Sequence, residues 1–152
     1  MTDQEKIIKN FSQTWEVPNK INPIIIIGTG GIVKDAHLPA YKKAGFQVDG
    51  LFDVDKDKAN TLAAEFGIKK VFNSLDEAFQ NSDCIFDLAL PPANLLEVVE
   101  KLPDNIFAIF QKPLGRSLEE ADKIRKICHQ KNIKACMNFQ LRFSPISLPV
   151  YE

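Results

Sequence analysis

Short apolar runs alternate with amphipathic helical patterns from residue 24 to residue 138. The first run, Ile24-Ile25-Ile26-Ile27, is continuous and β-branched, which is typical of a parallel strand buried on both faces. Further strands are predicted over residues 47–52, 70–72, 84–90, 106–110 and 133–138. Helical patterns separate the runs, so right-handed crossovers should join parallel strands. The sequence therefore predicts an α/β fold, a doubly wound parallel sheet of Rossmann type with six strands and helices on both faces.

The helical patterns have recognisable faces and ends. A helix is predicted directly after the glycines that follow the first strand, with Ala36, Ala40 and Ala44 on one face. Capping boxes begin two later helices at Ser74 and Ser117, because a serine and the glutamate three residues after it can each satisfy a free backbone donor. These signals support the strand–helix alternation.

The chain has 152 residues, of which 45% are hydrophobic and 26% charged, as expected for one globular domain. We expect the Rossmann domain to cover residues 23–140. Residues 1–22 are interpreted as an N-terminal extension, in which residues 3–15 can form an amphipathic helix that packs on the domain. Residues 141–152 are interpreted as the start of a linker to a further domain.

Charge and patterning exclude several classes of protein. The formal net charge is −1, which gives no reason to expect nucleic acid or an anionic membrane as a partner. The longest apolar run, Pro23 to Ile27, is too short to span a bilayer. The first five residues, MTDQE, do not resemble a signal peptide, so we expect a cytoplasmic protein.

The cysteines and histidines give no metal or disulfide pattern. The cysteines Cys84, Cys128 and Cys136 lack C-x-x-C spacing, and we interpret them as small buried hydrophobic residues in a reducing compartment. His37 and His129 are not spaced with acids or cysteines as metal ligands, so no metal site is predicted. A structural role is expected for His37 and a solvated face for His129.

A glycine-rich turn follows the first strand. It reads Gly28-Thr29-Gly30-Gly31, with Ile32 at the start of the next helix. The first glycine permits a tight turn, and Gly30 lets the backbone approach a pyrophosphate at the positive end of the helix. We therefore expect these five residues to bind a nicotinamide dinucleotide, although many ordinary strand–helix turns also use glycine.

An acidic residue follows the second strand directly. Asp53 is placed to accept hydrogen bonds from the adenosine ribose hydroxyls and to repel a 2′-phosphate, so it predicts NAD rather than NADP as the cofactor. Asp55 is the rival for this role. The alternative for either residue is a solvated carboxylate at a strand end that binds no ligand.

Two further segments should lie at the same edge of the sheet as the glycine-rich turn. Leu90-Pro91-Pro92 ends the fourth strand and Gln111-Lys112-Pro113 ends the fifth. The carboxyl ends of parallel strands flank the crevice where ligands bind, so both segments are candidate cofactor contacts. Taken alone, the prolines are equally well explained as strand terminators, and Lys112 as a surface lysine before a turn.

Five segments occur in a fixed order along the chain: GTGGIVKDAHLPAYKKAGF, VDGLFDVDKDKANTLAAEFGI, the PP after the fourth strand, QKPLGRSLEEADKI and MNFQLRFSP. Together they resemble the Gfo/Idh/MocA family, which includes glucose–fructose oxidoreductase and inositol 2-dehydrogenase. The resemblance implies a nicotinamide-dependent oxidoreductase acting on a sugar, inositol or related polyol. It also implies that Lys112 matches a lysine beside the nicotinamide and substrate, and that Pro113 follows a cis peptide bond.

The chain departs from the family pattern at three positions. Gln111 stands where the family motif has glutamate, Val33 where it has a small residue, and Leu95 where a histidine is common. Val33 is expected to push the helix slightly away from the strand. These departures leave cofactor binding intact and put catalysis in question.

The family also carries a second, mostly antiparallel β domain, which supplies most of the substrate pocket, an Asp-x-x-x-His motif and the usual oligomer surface. This chain is either the N-terminal part of such a protein or a naturally short member, and homo-oligomer formation stays open. The alternative function is a non-catalytic dinucleotide-binding module, a redox sensor or a subunit completed by another chain.

Overall fold

A single parallel sheet organises the chain. The computed structural model describes residues 20–143, and residues 21–138 form one compact unit. The strands are β1 (Ile24–Ile27), β2 (Val48–Phe52), β3 (Lys70–Val71), β4 (Ile85–Leu88), β5 (Phe107–Phe110) and β6 (Lys134–Met137). Their order is β3-β2-β1-β4-β5-β6 and each pair of neighbours is parallel. This is the predicted Rossmann-type doubly wound sheet.

Helices cover both faces of this sheet. A π-helical turn, Val33–His37, runs into α1 (Leu38–Ala44), and the other helices are α2 (Lys56–Phe66), α3 (Leu75–Phe79), α4 (Pro92–Lys101) and α5 (Leu118–Gln130). One apolar core lies between the sheet and the helices α3, α4 and α5, and the other lies beneath α1 and α2. Of the described helices, none has the length and apolar character that a bilayer span requires.

The continuous isoleucine run is explained by these two cores. Ile25 and Ile27 pack in the core beneath α3, α4 and α5, whereas Ile24 and Ile26 pack in the core beneath α1 and α2. All four side chains are at most 1% exposed. A central strand covered on both faces needs apolar residues at every position rather than at alternate ones.

The first helix packs through a different face from the one expected. Ala36, Ala40 and Ala44 are exposed, so the expectation of an alanine packing face was wrong. The buried side chains include Val33 and His37 of the π-helical turn. Larger side chains bury more apolar surface than alanine, which favours this face. Val33 is fully buried in the core, at the position where the family has a small residue.

The three cysteines do not share one environment. Cys84 lies just before β4 and Cys128 on α5, and both are buried as expected. Burial raises the pKa of the Cys84 thiol to about 12, so it stays protonated. The expectation of burial was wrong for Cys136, which is exposed because β6 lies at the edge of the sheet.

The remaining expectations concern the ends of the chain. The amphipathic helix expected within residues 3–15 lies outside the described residues, as does the end of the linker expected over residues 141–152. A short 3₁₀ helix, Gln140–Phe143, is not part of the compact unit of residues 21–138 and is described here by itself.

Candidate functional site

The glycine-rich turn is held against two neighbouring strands. Gly28 has a φ of +96°, and a β-carbon placed on it would lie 2.5 Å from the carbonyl oxygen of Ala89. Its N–H donates to the Phe52 carbonyl oxygen at 2.7 Å. The backbone therefore passes so close to the end of β4 that only glycine fits at this position.

Gly30 lies in a different environment. No heavy atom comes within 4 Å of a β-carbon placed on Gly30, so the space beside its backbone is open. Within residues 20–143, the backbone N–H groups of Gly30, Gly31 and Ile32 donate no hydrogen bond. An open space beside the turn and free donors at the start of a helix both suit an anion such as a pyrophosphate.

Asp53 is joined to this turn by two hydrogen bonds. Its Oδ2 accepts from the Thr29 backbone N–H at 2.6 Å and from the Thr29 hydroxyl at 2.7 Å. Its Oδ1 accepts from the backbone N–H of Asp55 at 2.9 Å. A carboxylate offers about four acceptor positions, so roughly one is left for a ligand hydroxyl.

The same contacts keep Asp53 ionised. Burial alone would raise the pKa of its carboxyl, but the hydrogen bonds from Asp55 and Thr29 favour the charged form and lower the pKa below the ordinary value. A negative charge therefore stands beside the glycine-rich turn at neutral pH.

Asp55, the rival carboxylate, has a structural task. It is the N-cap of α2, and its Oδ1 accepts a hydrogen bond from the Lys58 backbone N–H at 3.1 Å. A side chain engaged in capping explains an aspartate here without a ligand. The geometry favours Asp53 as the acid of the site.

The residues after β4 pack near the glycine-rich turn and also begin the next helix. The side chain of Leu90 lies near Gly28, with its Cδ2 3.3 Å from the position of an added β-carbon. Pro91 is the N-cap residue of α4 and Pro92 its first residue, so both prolines serve to end the strand and begin the helix. Leu95 is 1% exposed in the core, which accounts for an apolar residue at this position.

The segment after β5 carries the candidate catalytic lysine. The Lys112–Pro113 peptide bond is cis, as the family resemblance implies, and both residues are exposed at the carboxyl end of β5. The Gln111 side chain already has protein partners. Its Nε2 donates to Oδ1 of Asp87 at 3.1 Å, and its Oε1 accepts from Nδ2 of Asn138 at 3.1 Å.

Asp87 is the residue near the site that sequence reasoning missed. It lies within β4, is fully buried and accepts at Oδ2 from His37 Nδ1 at 2.7 Å and from the Tyr41 hydroxyl at 2.9 Å. Burial, together with the charge of Asp87, raises the pKa of Tyr41, so its hydroxyl remains a donor. The available signal was an acid inside an apolar strand, which demands partners. The structural role expected for His37 is confirmed by this burial.

His37 also carries an unusual atom. Its Nε2 is buried and has no hydrogen-bond partner within the part of the chain that the structure describes. The same residues contain no group of three or more histidine, cysteine or acidic side chains arranged for a metal ion.

Comparison with known proteins identifies the relatives of this chain. The family model GFO_IDH_MocA, described as an oxidoreductase family with an NAD-binding Rossmann fold, matches residues 23–139. Glucose-6-phosphate 3-dehydrogenase of Bacillus subtilis is 26% identical over 119 residues, which are 78% of this chain and 33% of that protein. D-xylose 1-dehydrogenase (NADP(+)) 2 of Haloferax volcanii is 26% identical over 125 residues, 80% of this chain and 38% of that protein.

Solved structures show the same fold. A super-repressor mutant of Gal80p from Saccharomyces cerevisiae superimposes with a TM-score of 0.75 at 20% identity, covering 86% of this chain and 37% of that chain. The chain spans between 31% and 39% of the length of the curated relatives it matches. The matched region is therefore the dinucleotide-binding portion of considerably longer proteins.

Proposed function

The chain belongs to the Gfo/Idh/MocA oxidoreductase family, and from this premise we propose that residues 23–140 form the cofactor-binding domain of a dehydrogenase that uses NAD rather than NADP. The substrate class is a sugar, inositol or related polyol, and the sugar dehydrogenases among the relatives support it. The observation that carries the proposal is the pair of hydrogen bonds between Thr29 and Asp53, which joins the glycine-rich turn to the acid after β2.

The described residues fit a dinucleotide. Free N–H groups at Gly30, Gly31 and Ile32 would hold the pyrophosphate, and the remaining acceptor position of Asp53 would hold a ribose hydroxyl. The segments that follow β4 and β5, Leu90-Pro91-Pro92 and Gln111-Lys112-Pro113, would line the nicotinamide half. When bound, the cofactor supplies hydride chemistry, and the chain supplies orientation and electrostatics.

Lys112 is the residue that we assign to the substrate. It is exposed at the carboxyl end of β5, and a lysine ammonium there can donate a hydrogen bond to the reacting oxygen of a polyol. This role makes Lys112 the candidate catalytic residue of the chain, while the glycine-rich turn and Asp53 serve binding alone.

The first prediction concerns the choice between the two cofactors. We expect NADH to bind more tightly than NADPH, because the ionised Asp53 would repel a 2′-phosphate. Asp53→Ala should reduce the ratio of the two dissociation constants by about tenfold or more, since a repulsion of about 1.4 kcal/mol is worth that factor. Calorimetric titration with both cofactors measures the ratio.

Asp55→Ala is the matched control for this measurement. It removes the N-cap of α2 and should lower stability by about 1 kcal/mol while leaving the cofactor ratio unchanged. If Asp55→Ala changes the ratio and Asp53→Ala does not, the assignment of the two carboxylates is reversed. Tighter binding of NADPH to the unmodified chain would also refute the role of Asp53.

The second prediction separates binding from turnover. We expect the 152-residue chain to bind dinucleotide without oxidising polyols at a useful rate. The glycine-rich turn and Asp53 both lie within this domain, so binding needs no further part of the protein. Catalysis in addition needs a substrate held within about 3–3.5 Å of the reacting atom and protected from water. NADH formation with a panel of inositols and aldoses measures turnover, in this chain and in any longer product of the gene.

The outcomes distinguish the oxidoreductase from the alternative, a non-catalytic dinucleotide-binding module. Activity confined to a longer product supports the oxidoreductase. Binding without activity in either protein favours the module, and the fold is compatible with it because a repressor shares the fold. Robust turnover by the 152-residue chain would contradict the prediction and would indicate a complete substrate site within it.

A further inference from the structure

Asp87 joins three parts of the fold through its side chain. The donors to its carboxylate are His37 of the π-helical turn, Tyr41 of α1 and Gln111 at the end of β5. Asp87 itself is 0% exposed and lies on the central strand β4. A buried carboxylate is tolerated only when its oxygens are satisfied, so these contacts are a requirement of the fold.

The hydrogen bonds of this cluster all lead to Asp87 as the final acceptor. Asn138 donates to Gln111, Gln111 donates to Asp87, and Asp87 accepts at both oxygens. Gln111 therefore acts as an acceptor towards one neighbour and as a donor towards the other. A side-chain amide offers both functions without a change of protonation, which a carboxylate does not.

A glutamate at position 111 could not both accept from Asn138 and donate to Asp87 unless it were protonated. Its carboxylate could accept from Asn138, but it would face Oδ1 of Asp87 with a second acceptor at a distance that is now 3.1 Å. Two carboxylates at hydrogen-bond distance must share a proton or repel each other. The buried acid at position 87 therefore accounts for the amide at position 111.

We propose that Gln111 is a positioning residue for Lys112, and that Asp87 is its anchor. Gln111 precedes Lys112 in the chain, and its side chain fixes the end of β5 to β4 and to the end of β6 through Asp87 and Asn138. The proposal rests on the proposed function, because Lys112 matters only if a cofactor and substrate bind beside it.

The decisive variant exchanges the two functional groups. In Asp87→Asn with Gln111→Glu, the asparagine oxygen can accept from His37 and Tyr41, while its NH₂ group donates to the new carboxylate. That carboxylate can still accept from Asn138. The double variant keeps each hydrogen bond and the net charge, whereas Gln111→Glu alone places two acceptors against each other.

Urea unfolding tests the pairing. We expect Gln111→Glu to lower the urea midpoint by about 1 M, and the double variant to recover at least half of that loss. Asp87→Asn alone should lower the urea midpoint less than Gln111→Glu does. The new NH₂ group at position 87 can donate to Gln111 if the side-chain amides of Gln111 and Asn138 each rotate by 180°, and the hydrogen bonds between the three residues then persist in the reverse direction. An unchanged midpoint for Gln111→Glu, or a double variant no more stable than Gln111→Glu, would overturn the pairing.

Ligand binding tests the positioning role. Gln111→Glu should weaken NADH binding about fivefold, leave ADP-ribose binding within twofold, and add no further loss in a Lys112→Ala background. The double variant should restore NADH binding. Equal losses for NADH and ADP-ribose would show a general structural effect and overturn the positioning role.

The two proposals fail in different ways. If the unmodified chain binds neither NADH nor ADP-ribose, the proposed function and the positioning role are both refuted, while the urea measurements still decide the pairing of Asp87 with Gln111. If the unmodified chain binds both ligands and Gln111→Glu binds NADH normally, only the positioning role is refuted.

Discussion

Gly28→Ala is expected to destabilise the domain by about 3–5 kcal/mol, enough to leave it largely unfolded at physiological temperature. Two costs add at this position. The φ of +96° is unfavourable for any residue with a β-carbon, and that β-carbon would lie 2.5 Å from the backbone oxygen of Ala89. Backbone cannot move away as a flexible side chain can, because Ala89 also donates its N–H to the Ile27 carbonyl oxygen. Urea unfolding followed by circular dichroism measures the loss.

Gly45→Ala is the matched control for Gly28→Ala. Gly45 also has a positive φ, of +73°, but no heavy atom lies within 4 Å of an added β-carbon. Its substitution isolates the conformational cost, which should be about 1 kcal/mol. A Gly28→Ala variant no less stable than Gly45→Ala would show that the turn can move away from β4, and would contradict the close approach described here.

Gly30→Val is expected to abolish dinucleotide binding while the domain stays folded. No heavy atom lies within 4 Å of a β-carbon placed on Gly30, so a valine side chain there should cost at most about 1 kcal/mol of stability. The same side chain would fill the space proposed for the pyrophosphate. We expect a loss in NADH affinity of more than about 100-fold, equivalent to roughly 2.7 kcal/mol. Calorimetric titration measures it, with thermal unfolding as the test of folding.

The pair of glycine variants separates stability from binding. Gly30→Val with undiminished NADH affinity would exclude the turn as the pyrophosphate site and would contradict the proposed mode of dinucleotide binding. Gly30→Ala should give an intermediate loss, because a methyl group fills less of the open space. A graded series of this kind is the result expected from steric exclusion.

The sheet and the glycine-rich turn could be predicted from the sequence because their signals are local. A continuous isoleucine run, a glycine-rich turn and an acid after the second strand are each read over a few residues. The parallel, doubly wound arrangement follows from the alternation of strands and helices. Strand ends were less accurate: β4 was expected over residues 84–90 and spans Ile85–Leu88.

The polar cluster beneath the first helix could not be predicted, because its partners are distant in sequence. His37 and Asp87 are 50 residues apart, and only the packing of the π-helical turn on β4 brings them together. The alanine spacing suggested the wrong face of that helix, since periodicity alone does not say which of two faces is buried. The glutamine before Lys112 was recognised as a departure from the family, but its physical reason lies on a different strand.

The hydrogen bonds between Thr29 and Asp53 have a consequence for the redesign of cofactor preference. Removing the acid to admit a 2′-phosphate also releases Thr29, whose N–H and hydroxyl both depend on it. A substitution that keeps an acceptor is therefore the better starting point. An asparagine side chain at this position would remove the negative charge and retain one oxygen for both Thr29 donors, at the loss of the oxygen that now accepts from the Asp55 N–H. Asp53→Asn should therefore gain NADPH affinity with less loss of overall binding than Asp53→Ala.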